Sequence, residues 1–311
     1  MEYRNLGRSG LKVSTVGLGC NNFGWTIGLE DSRAVIDAAI DAGITFFDTA
    51  NVYGKGGGSE TMMGEILGDR RKDIVLGTKA GLAMPDGSKG GSRANIVRAF
   101  EESLIRLKTD YIDFYQFHWS DPDTPIDETL RAMDDLIRAG KVRYIGCCNL
   151  AAWELVEAEY IARELGTNRF IGTQAELSLL RRENETALIP ALAAYGIGFL
   201  PYFPLASGLL TGKYKRDAIP EDSRFAKLDT MAGRYLTDEN WDKTEKLAAF
   251  CEARGRTMVE LAFSWLLTRP TVASVMAGAP KPAQIEANVA ATGWALTKDD
   301  LAEIDKITGA A

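Results

Sequence analysis

Eight short apolar runs recur along this 311-residue chain almost from end to end. They are TVGLG (15–19), ITFFDT (44–49), IVLGTK (74–79), IDFYQFH (112–118), VRYIGCC (142–148), FIGTQAE (170–176), IGFLPYF (197–203) and VASVMAG (272–278). Between them lie stretches of helical period: SRAVIDAAIDAG, SRANIVRAFEESLIRL, IDETLRAMDDLIRAG, AWELVEAEYIAREL and ALIPALAAYG. Several of these close on Gly, as helices commonly do. Apolar runs alternating with amphipathic helices read as βαβ units, which lay their strands parallel. No linker, repeat or low-complexity stretch divides the series. The expected architecture is therefore α/β: a single (β/α)8 TIM-barrel domain over residues 1–311. An N-terminal β-hairpin (Tyr3 to Val13, turning at Ser9-Gly10) should precede it and an extra C-terminal helix should follow. Two connections are longer than the rest, Leu82 to Ser92 after the third run and Ser207 to about Glu239 after the seventh, and long loops at one end of a barrel are where binding is built.

Composition narrows the partners. A formal charge of −7, with no Lys/Arg cluster, argues against nucleic acid and for a small-molecule partner. MEYRNLGRSG has no apolar signal core, and no run of about 18 apolar residues is present to span a bilayer. No membrane association and a cytoplasmic location are expected. Cys20, Cys147, Cys148 and Cys251 show neither CxxC spacing nor a disulfide framework, and His118 is the only histidine. A zinc site or a Ser/His triad has little to draw on, and no metal is expected. The Gly-rich GLGCNNFG (17–24) lacks GxGxxG spacing and opens no helix, so it is not a dinucleotide fingerprint of the open-sheet kind.

The informative residues stand at the carboxyl ends of the runs. Asp48 closes the second, Lys79 the third and His118 the fourth, and Tyr53 follows Asp48 in a glycine-containing loop. In a barrel these ends converge on one face, where barrel active sites sit. Taken singly, each has a plainer role: a turn-capping aspartate, a packing tyrosine, a solvated lysine, a core histidine. Together they form an acid, a base partner and a proton donor able to tune one another.

These residues carry a resemblance. YRNLGRSGLKVSTVGLG, FFDTANVYG, GTKAG, DYIDFYQFHWSD, GKVRYIGCCN, YFPLASGLLTGKY and GAPKPAQIEANV are similar to the corresponding motifs of the aldo-keto reductases. The likeness extends over essentially the whole chain and is strongest to the long-loop bacterial and channel-β-subunit-like branch. The resemblance implies that Asp48, Tyr53, Lys79 and His118 are a catalytic tetrad for reversible reduction of aldehydes or ketones by NADP(H). Tyr53 would protonate the carbonyl oxygen as hydride arrives, although a free phenol has a pKa of about 10. Lys79 is expected to lower that pKa, Asp48 to keep Lys79 charged, and His118 to orient the substrate oxygen.

The same resemblance implies that Asn149 and Gln174 hold the nicotinamide carboxamide and that Tyr202 stacks on the ring. Further cofactor contacts are implied at Pro204, Leu205, Lys213, Gly278 and Asn288. Cys148 stands where relatives commonly have serine. Phosphate sites in barrels favour the loops after the seventh and eighth strands and a helix N-terminus. That points to Ser207, Gly208 and Leu209, and to Lys281 before Pro282 as a cation for a 2′-phosphate. Gln284 replaces the arginine of many NADPH-preferring relatives, so NADP(H) is favoured and NAD(H) stays open. Trp25, Leu82, Met84 and Trp119, with Tyr53, are expected to line an apolar substrate pocket. Three other readings remain: a redox-sensing regulatory subunit with little turnover, an NAD-dependent sugar or alcohol dehydrogenase, and a Schiff-base aldolase built on Lys79, which Asp48 would oppose.

Overall fold

Strands buried on both faces need apolar side chains on both, which is why each of the eight runs delivers a strand. A computed structural model describes residues 1–220 and 223–309. β1 (Tyr3–Asn5) and β2 (Lys12–Ser14) form an antiparallel hairpin. The barrel follows as β3 (Val16–Gly19), β4 (Phe46–Asp48), β5 (Val75–Ala80), β6 (Ile112–Phe117), β7 (Val142–Cys148), β8 (Gly172–Glu176), β9 (Gly198–Tyr202) and β10 (Val275–Gly278). All neighbours are parallel, and β10 pairs with β3 to close the ring. The register matters for the site. Asp48 lies opposite Gly77, Lys79 opposite Gln116 and Cys148 opposite Gln174.

The helices expected from periodicity are present at Leu29–Asp41, Arg93–Leu107, Ile126–Arg138, Ala152–Leu165 and Leu188–Tyr195. The C-terminal helix runs over Lys298–Thr308. Its start is fixed by reciprocal bonds: the Thr297 hydroxyl accepts from the Asp300 N–H at 3.1 Å, and the Asp300 carboxylate accepts from the Thr297 N–H at 2.9 Å.

The two long connections differ from simple loops. After β5 the chain curls back on itself, with the Met84 N–H donating to Ser88 O and the Gly90 N–H to Gly81 O. After β9 it breaks into short helical turns at Ala206–Thr211, Arg224–Lys227 and Asp229–Tyr235. Segments this short have no readable apolar period. They are pinned by single aromatic anchors, Tyr214 packing on Phe225 and Phe225 on Tyr235, with ring centroids 4.8 and 6.2 Å apart. Arg234 and Tyr235 also donate to the buried carboxylate of Glu176 at the end of β8, which ties this connection across the barrel mouth. Glu221 and Asp222, within the same connection, lie outside the described residues.

The opposite end of the barrel is stoppered by the hairpin, whose Leu6, Leu11 and Val13 pack with Phe46, Phe114, Ile171, Leu200 and Met276. The turn that inserts Leu6 relies on Gly7, at φ +59°, where a Cβ would lie 2.5 Å from Gly198 N and 2.6 Å from Ile171 O. Both the left-handed backbone and the backbone contact exclude a side chain there. Gly7→Ala is therefore expected to lower the free energy of unfolding by about 2 kcal/mol or more in urea titrations. A change within about 0.5 kcal/mol, the ordinary surface range, would show that the hairpin does not seal the barrel as described.

Candidate active site

Alternation along a strand sends every second side chain into the barrel, and at the carboxyl ends of β4, β5 and β6 this brings Asp48, Lys79 and Gln116 together. The Lys79 ammonium donates to Asp48 Oδ2 at 2.5 Å and to the Thr49 carbonyl at 2.8 Å, and its side chain is completely buried. Asp48 Oδ1 accepts from Gln116 Nε2 at 2.8 Å. The Lys79 nitrogen lies 4.9 Å from the centroid of the Tyr53 ring, whose edge meets the His118 imidazole at a centroid distance of 5.8 Å. The four side chains expected from the sequence are thus gathered at one point.

Tyr53 reaches this point through an unusual backbone. It opens the segment Tyr53–Leu67, yet Gly54, Lys55, Gly56 and Gly57 all have positive φ before regular helix begins. At Gly54 a Cβ would sit 2.5 Å from Ser59 N, so the tight loop needs glycine. The loop is anchored by Ser59, which donates to the Cys20 carbonyl and meets Thr49 Oγ1, both at 2.8 Å.

Burial and charge set the protonation states. Burial pulls Lys79 down, but the Asp48 carboxylate, with Tyr53 and Cys148, outweighs it and holds the lysine above its ordinary value. Burial raises Tyr53, and although Lys79 pulls the phenol down as expected, the net shift is upward. The expectation of a lowered phenol pKa is thus corrected: the lysine's pull is present and desolvation exceeds it. Burial first, then the positive charge of Lys79, pushes His118 well below the usual histidine range, so the imidazole is neutral. Its Nδ1 is buried without a hydrogen-bond partner.

A cleft of about 730 Å³ opens at this end of the barrel. Asp48, Tyr53 and His118 stand on its wall; Lys79 lies behind them. Among the expected cofactor residues, Asn149, Gln174, Tyr202, Pro204, Leu205, Ser207, Gly208, Lys213, Gly278 and Gln284 line it. Leu209 and Asn288 are buried off the wall, and Lys281 is an exposed helix-cap residue outside it. The cleft-lining lysines are Lys213 and Lys227, the second carried by a short helix that periodicity does not reveal. Trp25 and Trp119 line the cleft as expected, at 45% and 49% exposure. Leu82 and Met84 do not, because their loop folds back on itself. Asn149, at φ +58°, donates to the His118 carbonyl at 3.2 Å and accepts from the Tyr202 hydroxyl at 2.8 Å. Sequence reasoning also missed Asn21, Asn22 and Gln116. The polar NN that follows the first run after Cys20, and a glutamine between two aromatic residues of the fourth run, were the available signals.

Fold and site together define the class, a parallel (β/α)8 barrel with an acid, a lysine, a tyrosine and a histidine around the cleft at its carboxyl face. The chain belongs to the aldo/keto reductase family of oxidoreductases, whose model matches residues 15–308. It is 40% identical to a protein named probable voltage-gated potassium channel subunit beta from Arabidopsis thaliana, over 94% of this chain and 91% of that one. It is 35% identical to the L-glyceraldehyde 3-phosphate reductase of Escherichia coli (strain K12), over 98% and 92%. It is 34% identical to aldo-keto reductase YhdN of Bacillus subtilis (strain 168), over 99% and 93%.

The lone histidine gives a clean test of the electrostatics. With its folded pKa below the unfolded value of about 6.5, the unfolded chain binds the extra proton first, so this contribution to stability is complete above pH 6.5 and declines as pH falls below it. Unfolding free energies measured between pH 8 and 5 should fall on acidification in the wild type and stay nearly level in His118→Asn. Parallel curves for the two proteins would show that His118 titrates normally.

Proposed function

We propose that the protein reduces aldehyde or ketone groups to alcohols, reversibly, with NADP(H) and with Tyr53 as proton donor. The observation that carries this reading is the meeting of Tyr53, His118 and the Lys79–Asp48 pair at the cleft wall. A dinucleotide suits the remaining wall. Phe203, Ala206, Ser207 and Gly208 hold φ of +53, +46, +57 and +105°, a concentration of left-handed backbone of the kind kept at ligand sites. Asn149, Gln174 and Tyr202 would hold the nicotinamide end. Ser207, Gly208 and Lys213 would hold phosphate, and Gln284 would meet the adenosine end. The nicotinamide, when held there, would supply hydride for the carbonyl carbon.

The protein's own groups then act on the oxygen. Neutral His118 can donate a hydrogen bond to the carbonyl and fix its direction. Tyr53, whose raised pKa keeps it protonated at neutral pH, gives up its proton as negative charge grows on that oxygen. Lys79 stabilises the phenolate left behind, and Asp48 keeps Lys79 charged through the cycle. The half-exposed Trp25 and Trp119 favour an uncharged, apolar or aromatic carbonyl compound. The preference for NADP(H) over NAD(H) draws support from Lys213 and Lys227 on the wall. A second reading, a regulatory subunit that binds the cofactor without turnover, draws on the name of the plant relative.

Tyr53→Phe should lower carbonyl-dependent oxidation of NADPH by about a hundredfold or more, the usual cost of losing a general acid, while the dissociation constant for NADPH changes little. Steady-state assays on an aldehyde and ketone panel, with fluorescence titration of NADPH and NADH, provide both numbers. Near-normal turnover of the variant would remove Tyr53 from the mechanism. Stoichiometric NADPH binding with no wild-type turnover on any carbonyl would favour the regulatory reading.

A further inference from the structure

Gln116 is fully buried near the carboxyl end of β6, inside the barrel, and no step above uses it. Its two amide ends face different neighbours. Nε2 donates to Asp48 Oδ1 at 2.8 Å, while Oε1 accepts from Gln174 Nε2 and from the Cys148 thiol, each at 3.4 Å. An ionised carboxylate only accepts, so Asp48 leaves Gln116 no choice of sense: nitrogen toward Asp48, oxygen away. That oxygen in turn draws the nitrogen of Gln174. With its nitrogen turned inward to Gln116, Gln174 presents its oxygen to the cleft it lines. The charge of the Asp48–Lys79 pair is thereby relayed over two amides and read out on the cleft wall as a hydrogen-bond acceptor.

We propose that Gln116 is a positioning residue that fixes the sense of the Gln174 amide and makes the site selective for a ring bearing a carboxamide over one bearing a carboxylate. A carboxamide brings an N–H to the Gln174 oxygen. A carboxylate brings a second acceptor, and the two oxygens repel. The inference rests on the reading that the nicotinamide end of the cofactor lies at Gln174. Without Gln116, the Gln174 amide is free to rotate and turn its nitrogen outward, and the discrimination collapses. Cys148 contributes to the same lock, since its thiol fills the second acceptor position of Gln116.

The test uses NADPH and reduced nicotinic acid adenine dinucleotide phosphate, identical except for carboxamide against carboxylate, titrated by fluorescence against the full-length protein. Wild type should prefer the carboxamide by about tenfold or more, since a buried acceptor facing an acceptor is left unpaired. Gln116→Met, close in volume and without polar atoms, should narrow the ratio to about threefold or less. Gln116→Glu supplies an independent arm. A carboxyl there, protonated or ionised, still offers an oxygen to Gln174 Nε2 and so preserves the sense of that amide. Its preference for the carboxamide should therefore resemble wild type, a rescue by the retained acceptor that a purely structural role would not produce. If Gln116→Met keeps the wild-type ratio, or Gln116→Glu loses it as Gln116→Met does, the proposal is wrong. If wild type binds neither dinucleotide, the failure lies with the cofactor reading instead.

Discussion

A lysine ammonium with no exposed surface is costly to bury, and the arrangement of the site follows from how it is compensated. Removing such a charge from water carries a penalty of several kcal/mol even after relaxation, and a single partner seldom repays it. Here Lys79 has the Asp48 carboxylate at 2.5 Å and the Thr49 carbonyl at 2.8 Å, and Asp48 is itself bonded to Gln116. Each bond crosses from one strand or strand end to another, so the pair stays satisfied only while β4, β5 and β6 keep their register. The charge then does chemical work on its surroundings: it pulls the Tyr53 phenol down against burial and pushes the His118 imidazole toward neutrality. One buried ion pair thus acts on both titratable cleft-wall groups, with burial the larger influence on each.

Rigidity is distributed unevenly around this pair. The strand ends are continuous with the barrel and closed off below by the hairpin, whereas Tyr53 arrives on a glycine loop fastened through Ser59 and Thr49. Across the mouth, the connection after β9 is pinned by Tyr214, Phe225 and Tyr235 and by the two donors to Glu176. Tyr53 and the wall formed by the connection after β9 are therefore carried by separate segments, each tied to the same ring of strand ends.

Much of this was legible in the residues. The strands were readable because parallel strands buried on both faces are apolar on both, and five helices because their faces alternate at a helical period. Asp48, Lys79 and His118 could be placed together from topology alone, since strand ends converge in a barrel. The helix continuing from Tyr53 was hidden by GKGGGS, whose glycines are needed for the loop and disfavour helix. Lys227 sits on a turn too short for a pattern, while Lys281 sat beside a clear helix signal yet faces away from the wall. Leu82 and Met84 were apolar and near the right strand, but backbone bonds within their loop carry them off the cleft. The direction of the Tyr53 shift was not readable because it depends on how completely the fold buries the ring.

The central claim is that Asp48 and Lys79 act as one unit, and a double-mutant cycle on unfolding free energy addresses it most directly. Asp48→Asn and Lys79→Met each leave one buried charge without its partner, so each alone should cost about 3 to 5 kcal/mol in urea titrations at pH 7. Made together they leave no uncompensated charge, and the double variant should be no less stable than either single one. Costs that add to within about 0.5 kcal/mol would mean the two groups are energetically independent, and the account built on their pairing would not stand.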